Sequence, residues 1–185
     1  MSAPATSFKL KRLLRRFRRD QKGVIAVEMG FIALPFFALL FAIIETGIVF
    51  FAGQVIETAI QDSGRLLYTH QAQDSNMTAA QFKADVCSRV TVLMTCAGVD
   101  IDVQYYPAGT TITITDPIDA GGNYNSAALG YVTAPRGSTG TIVARAFYQW
   151  PLIVTGLGYN VANIGRGSST SKRLLAGTIA FHVEP

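Results

Sequence analysis

Residues Lys22–Gly53 read KGVIAVEMGFIALPFFALLFAIIETGIVFFAG, and this stretch decides the architecture of the chain. Sixteen consecutive residues, Met29 to Ile44, carry no charge, and Glu28 and Glu45 bracket them. From Val24 to Ala52 those two carboxylates are the only charges in 29 residues. A helix crosses the hydrocarbon core of a bilayer with about 20 predominantly apolar residues, so the run is long enough to span one. A helix apolar on every face needs either a large protein core or lipid around it, and 185 residues leave little room for the former. A cleaved secretory signal is the weaker alternative. Its apolar region is about 7–15 residues long, and Ala52-Gly53-Gln54 makes a poor cleavage site.

Charge gives the run a direction. The chain is 49% hydrophobic and only 15% charged, with a net charge of +4; a soluble domain usually carries about 25% charged residues. Lys11, Arg12, Arg15, Arg16, Arg18, Arg19 and Lys22, with Asp20, form a segment of charge +6, which leaves −2 for the rest. Basic residues beside a membrane helix stay cytoplasmic. The next charges beyond the run are Glu57, Asp62 and Arg65, so the body beyond residue 53 is expected on the opposite side. An apolar span directly behind the basic cluster accounts for it better than a nucleic-acid-binding arm does. Anionic headgroups add affinity for such a cluster.

Three positions inside the run call for explanation. Glu28 is costly among apolar residues, about 2.5–3.5 kcal/mol at a helix centre, unless it is paired or reaches the interface. Pro35 removes one helical hydrogen bond and is placed to kink the helix. Gly47 allows close packing against a neighbour.

The junction Lys22-Gly23-Val24-Ile25-Ala26-Val27-Glu28-Met29 resembles the processing site of type IV pilin-like proteins. That resemblance implies a prepilin peptidase cut between Gly23 and Val24, with Glu28 the fifth residue of the mature chain. Met29 stands where those proteins usually carry an aromatic. The wider segment is similar to the opening of the TadE-like minor pseudopilins of tight-adherence (Flp) pilus assembly, with matches at Gly23, Ala26, Val27, Glu28, Ala33, Leu34, Pro35, Glu45 and Gly47. Tyr148-Gln149-Trp150-Pro151-Leu152 and the closing strand Gly177–Pro185 extend it at the C-terminus. The resemblance implies three parts: a basic cytoplasmic leader 1–23, a transmembrane helix 24–53 and a periplasmic domain 54–185. It also implies an inner-membrane protein whose partners are the peptidase, other pseudopilins, pilus-assembly membrane proteins and the bilayer. Glu28 would then be the carboxylate used in subunit assembly, pairing with the new α-amine.

The helix is expected to continue past the membrane to about His70, roughly 70 Å at 1.5 Å per residue. Ile56, Ala59, Ile60 and Leu67 follow one helical face, and Gly64 is a place where the helix could break. After Asp74-Ser75-Asn76, Thr78 and Gln81 form a capping-box pattern, and Phe82, Val86, Val90 and Leu93 mark the apolar face of a short helix. Cys87 and Cys96 would stand about 13 Å apart along a continuous helix, beyond the roughly 7 Å limit for a disulfide. A bridge therefore requires the helix to end near Leu93 and the chain to fold back. Two small buried hydrophobes are the alternative.

From Val99 the period shortens to two. Val99, Ile101, Val103 and Tyr105 alternate, and Ile112 and Ile114 alternate within TTITIT beyond the Pro107-Ala108-Gly109 turn, which reads as a hairpin. Residues 116–140 read as a long surface loop, Thr141–Trp150 as a third strand and Leu174–Val183 as a fourth. The expected fold class is α+β and type IV pilin-like: a long N-terminal transmembrane helix, a short helix and a roughly four-stranded antiparallel sheet.

Enzymatic function is not expected. His70 and His182 belong to no motif, and two cysteines without a nearby His make neither a metal site nor a nucleophile pair. GLGYNVANIGRG lacks the spacing of a phosphate loop. No cofactor, metal, nucleic acid or small-molecule substrate is expected. The expected role is structural, in initiating, priming or capping a pilus, with a permanently anchored periplasmic adaptor or a binding module as the alternatives.

Overall fold

The computed structural model describes residues 22–154 and 159–184; the expected leader, apart from its last two residues, lies outside the described residues. Helix α1 runs Lys22–Tyr68, 47 residues with Pro35 inside it. Among the described residues it is the one helix long and apolar enough to cross a membrane. The chain divides within α1 into two units, Met1–Ile43 and Ile44–Pro185. In the first unit α1 exposes its apolar side chains all round, with Phe31 77% and Leu34 73% accessible.

In the second unit α1 is amphipathic by burial. Val49, Ala52, Ile56, Ala59, Ile60, Ser63 and Leu67 are buried, a stripe at three-and-four spacing that lies over the sheet. The helix does not break at Gly64. A Cβ there would stand 3.1 Å from Cγ2 of Ile179, so this glycine admits the sheet to the helix surface. Gly177 does the same from the sheet side. Its Cβ would meet the Ile56 carbonyl oxygen at 2.8 Å and Cα of Glu57 at 2.9 Å.

His70, at φ 59, turns the chain out of α1 into the single turn α2, Gln71–Asp74. Helix α3, Ala79–Val90, opens with a complete capping box. The Gln81 amide donates to Thr78 Oγ1 at 3.3 Å, and the Thr78 amide donates to Gln81 Oε1 at 2.8 Å. Phe82, Val86, Cys87 and Val90 are its buried face. The helix ends at Val90 and the chain folds back through a 3-10 turn, Cys96–Gly98. That return brings Cys87 and Cys96 into a disulfide, with Cα atoms 5.3 Å apart.

Strands β1 (Val99–Pro107), β2 (Gly140–Pro151) and β3 (Lys172–Val183) form one antiparallel sheet in the order β1-β2-β3. The α+β class stands, but the sheet has three strands among the described residues, not about four. The segment around Ile112 and Ile114 is not a strand, and β1 pairs with β2 from Val99↔Tyr148 to Pro107↔Gly140. The other edge of β1 is taken by residues 130–132: the Val103 amide donates to the Gly130 carbonyl, and the Val132 amide to the Val103 carbonyl. With that edge already engaged at Val103, TTITIT does not extend the sheet. Ile112 and Ile114 are accordingly exposed.

The core lies between the sheet, α1 and α3. Val99, Val103, Ile142, Ala144, Ala146 and Leu175 face it, and each large aliphatic or aromatic side chain buried there contributes about 1.5–3 kcal/mol. Pro151 closes β2, where its missing amide costs no ladder bond.

Candidate functional site

The N-terminal residues singled out in the sequence lie on an open helical surface. Gly23 and Val24 occupy the start of α1, and Glu28 is exposed one turn further on. Pro35 and Gly47 are exposed as well, with open space where a Cβ on Gly47 would stand. Around Pro35 the surface is dense in aromatics; the Phe36 and Phe37 rings meet edge-on at 5.5 Å, and Phe37 stacks with Phe41 at 6.4 Å. This much contiguous apolar area requires a lipid or protein partner.

The second carboxylate of the apolar run does something different. Glu45 is only 9% exposed. Its carboxylate accepts from the backbone amides of Ile153 and Val154, the latter at 3.1 Å to Oε2. One residue on, Thr46 Oγ1 and the Tyr159 hydroxyl are hydrogen-bonded at 2.8 Å. Three turns further along α1, Glu57 Oε2 accepts from the Thr178 amide on the outer edge of β3 at 3.0 Å. Helix α1 is thus held to the body by carboxylates that satisfy backbone donors as well as by its apolar stripe. Charge-assisted bonds of this kind are roughly twice as strong as neutral ones.

Between the first two ties and the third lies an open groove of about 580 Å³, lined among others by Val49, Gly53, Glu57, Arg173 and Ala176. Its charged groups are already engaged: Glu57 accepts from the Thr178 amide, and Arg173 Nη1 donates to the Val161 carbonyl at 3.2 Å. Among the described residues no three His, Cys, Asp or Glu side chains gather to hold a metal. His70 is spent on the turn after α1, and His182 is exposed on β3.

The face of the sheet turned away from α1 carries a polar layer. Asp102 and Arg145 are cross-strand partners and form a buried ion pair. Around them the long 108–139 connection is fastened to the sheet. Arg145 Nη1 donates to the Thr115 carbonyl, the Gly130 amide donates to Asp102 Oδ1, and the Tyr124 hydroxyl donates to Asp100 Oδ2. Burial, and then the bond to the Asp100 carboxylate, push the Tyr124 phenol well above its ordinary value; burial also raises Tyr131. At the exposed turn 119–123 the Asn123 amide lowers the Asp119 carboxyl. Sequence reasoning missed this layer. The signal was present, in Asp100 and Asp102 alternating with Val99, Ile101 and Val103, and in one arginine inside an otherwise uncharged strand.

A long apolar helix whose second half packs into an α+β body with an antiparallel sheet defines a pilin-like architecture. The family described as TadE-like protein matches residues 23–65, so this first helix is similar to that family, as the residues at its N-terminus suggested. The match opens at Gly23 and closes at Arg65, inside α1. It implies a protein associated with a Tad pilus and with pilus-assembly proteins. No curated protein and no solved structure matches the chain.

Proposed function

We propose that this chain is a minor pseudopilin of a Tad/Flp-type pilus, non-enzymatic, whose work is done by packing. The observation that carries the reading is the TadE-like match beginning at Gly23 on a helix whose first unit presents exposed apolar side chains on all sides. The basic leader stays in the cytoplasm, α1 stores the subunit in the inner membrane, and the body lies in the periplasm. The Cys87–Cys96 disulfide supports that placement, because such bonds persist in oxidising compartments. A prepilin peptidase hydrolyses the Gly23–Val24 amide, leaving a carboxylate on Gly23 and an α-amine on Val24 with an ordinary pKa of about 7.7–8.0. Glu28 then supplies the opposite charge for that amine when α1 leaves lipid and packs against other subunits. A charge pair that needs its partner before burial can set register. The subunit takes part in initiating, priming or capping the filament.

Intact-mass measurement of the protein from its native membrane, with and without the prepilin peptidase, tests this. Peptidase-dependent loss of residues 1–23 with co-purification of pilus components is the expected result. An uncut chain in both samples would replace the proposal with a permanently anchored adaptor.

A further inference from the structure

At the level of α1 where the uncharged run ends, the second unit presents an apolar surface that its core does not use. Ile44, Ile48, Phe50 and Phe51 on α1 are exposed, at 46, 44, 71 and 61%. Beside them, just after β2, Ile153 is 89% exposed, and Tyr159 is 41% exposed. Both of these residues are tied to α1. Glu45 accepts the amides of Ile153 and Val154, and Tyr159 bonds to Thr46. An apolar side chain pushed outward while its own backbone amides are satisfied from within suits a low-dielectric environment, where an unsatisfied amide costs several kcal/mol.

Counting from Val24, about 20 residues traverse the hydrocarbon, which puts Ile44 and Glu45 at its outer boundary. We infer that Ile153 and Tyr159 make a second membrane contact, seated in the outer interfacial layer beside the exit of α1. Tyr159 sits as interfacial tyrosines do, with an apolar ring and a bonded hydroxyl. The bilayer is the occupant because Ile153 and Tyr159 are tied to Glu45 and Thr46, directly where the uncharged apolar run of α1 ends. Glu45 accepts the amides of Ile153 and Val154, so its charge is spent on amides and not presented to lipid. This inference rests on the proposed spanning of the bilayer by α1.

Lipid-depth quenching of the full chain tests both statements separately. Trp150 is the only tryptophan, so a Trp150→Phe background accepts single reporters: Ile153→Trp, Leu39→Trp within the span, and Val92→Trp as a control. Val92 is 93% exposed and follows α3, whose Arg89 reaches Asp62 and Ser63, some 25 Å further along α1 than Glu45. All three reporters replace exposed side chains and share one background, so a folding defect would strike them alike. In vesicles of phosphatidylcholine brominated on its acyl chains, positions 39 and 153 should lose emission and show blue-shifted spectra, and position 92 should do neither. Quenching at 39 with none at 153 overturns the inference while leaving the span intact. A blue shift at 153 without quenching also overturns it and makes a second protein surface the occupant. No quenching at 39 or 153 removes the spanning reading and this inference with it.

Discussion

Asp102 on β1 and Arg145 on β2 stand directly opposite each other and are joined at two points: Nε donates to Oδ2 at 2.9 Å and Nη2 to the same oxygen at 2.6 Å. Their side chains are 1% and 8% exposed. Further bonds tie the pair to its surroundings, with Oδ1 accepting from Gln104 and Gly130 and Nη1 donating to Thr115. Because the loop bonds use the atoms left over from the ion pair, the pair and the outer layer stand or fall together.

Removing one partner leaves an uncompensated buried charge, at a cost of about 3–5 kcal/mol. Arg145→Met should therefore destabilise the body by that amount in denaturant unfolding of the detergent-solubilised chain. Asp102→Leu combined with Arg145→Met should recover part of the loss, since a well-packed apolar pair can replace a buried ion pair at little cost. A double variant as unstable as the two single losses added together would show that the pair is not coupled.

The disulfide makes a second expectation. It closes a loop of nine residues' separation between α3 and β1, and the chain-entropy account assigns a loop of that size about 2.5 kcal/mol. Cys96→Ser, or reduction under native conditions, should lower the melting temperature of the body. Unchanged melting on reduction would mean that the packing of Phe82, Val86 and Val90 holds α3 without the bridge.

At Gly177 the sheet approaches the α1 backbone closely. Two of the atoms that a Cβ would strike belong to the α1 backbone, at 2.8 and 2.9 Å, and backbone cannot rotate away as a side chain can. Gly177→Ala should cost about 1–3 kcal/mol by overpacking. Gly109, with φ 82 and open space around it, provides the contrast: there any penalty of alanine comes from backbone conformation alone. Equal melting of Gly177→Ala and the parent chain would refute the close packing.

Much of this architecture was legible because its signals are local. The capping box needs only Thr78 and Gln81 three residues apart, and the α1 stripe needs only the recurrence of Ile56, Ala59, Ile60 and Leu67. Folding the chain back after Val90 brought Cys87 and Cys96 within reach, as a bridge required. The extra strand at Ile112 and Ile114 failed for a non-local reason. Alternation records a strand-like preference, but pairing also depends on the edge available, and β1 is paired by β2 on one side and engaged at Val103 by residues 130–132 on the other. The segment instead bonds through its carbonyls, Thr113 accepting from the Tyr106 hydroxyl and Thr115 from Arg145. Glu45 was visible as a charge ending an apolar run. Its partners, Ile153 and Val154, lie more than a hundred residues away and donate through backbone amides that no side-chain pattern reveals.

The outer layer should also respond to alkali in a set direction. Tyr124 is held protonated by burial first and then by the Asp100 carboxylate that accepts its proton at 2.8 Å. A phenol raised in the folded state stabilises the fold below its unfolded value near 10, and that contribution disappears as the pH climbs through the higher folded value. Attachment of the 108–139 connection through Tyr124 should therefore be intact at neutral pH and weaken only above about pH 10. The chain has seven tyrosines, and absorbance titration at the tyrosinate band should show Tyr124 among the last to ionise, with Tyr131, also raised by burial. Tyr124→Phe should remove a late-titrating group and leave the early ones unchanged. Loss of an early-titrating group instead would place the Tyr124 hydroxyl in solvent and break the proposed link between Asp100 and the connection.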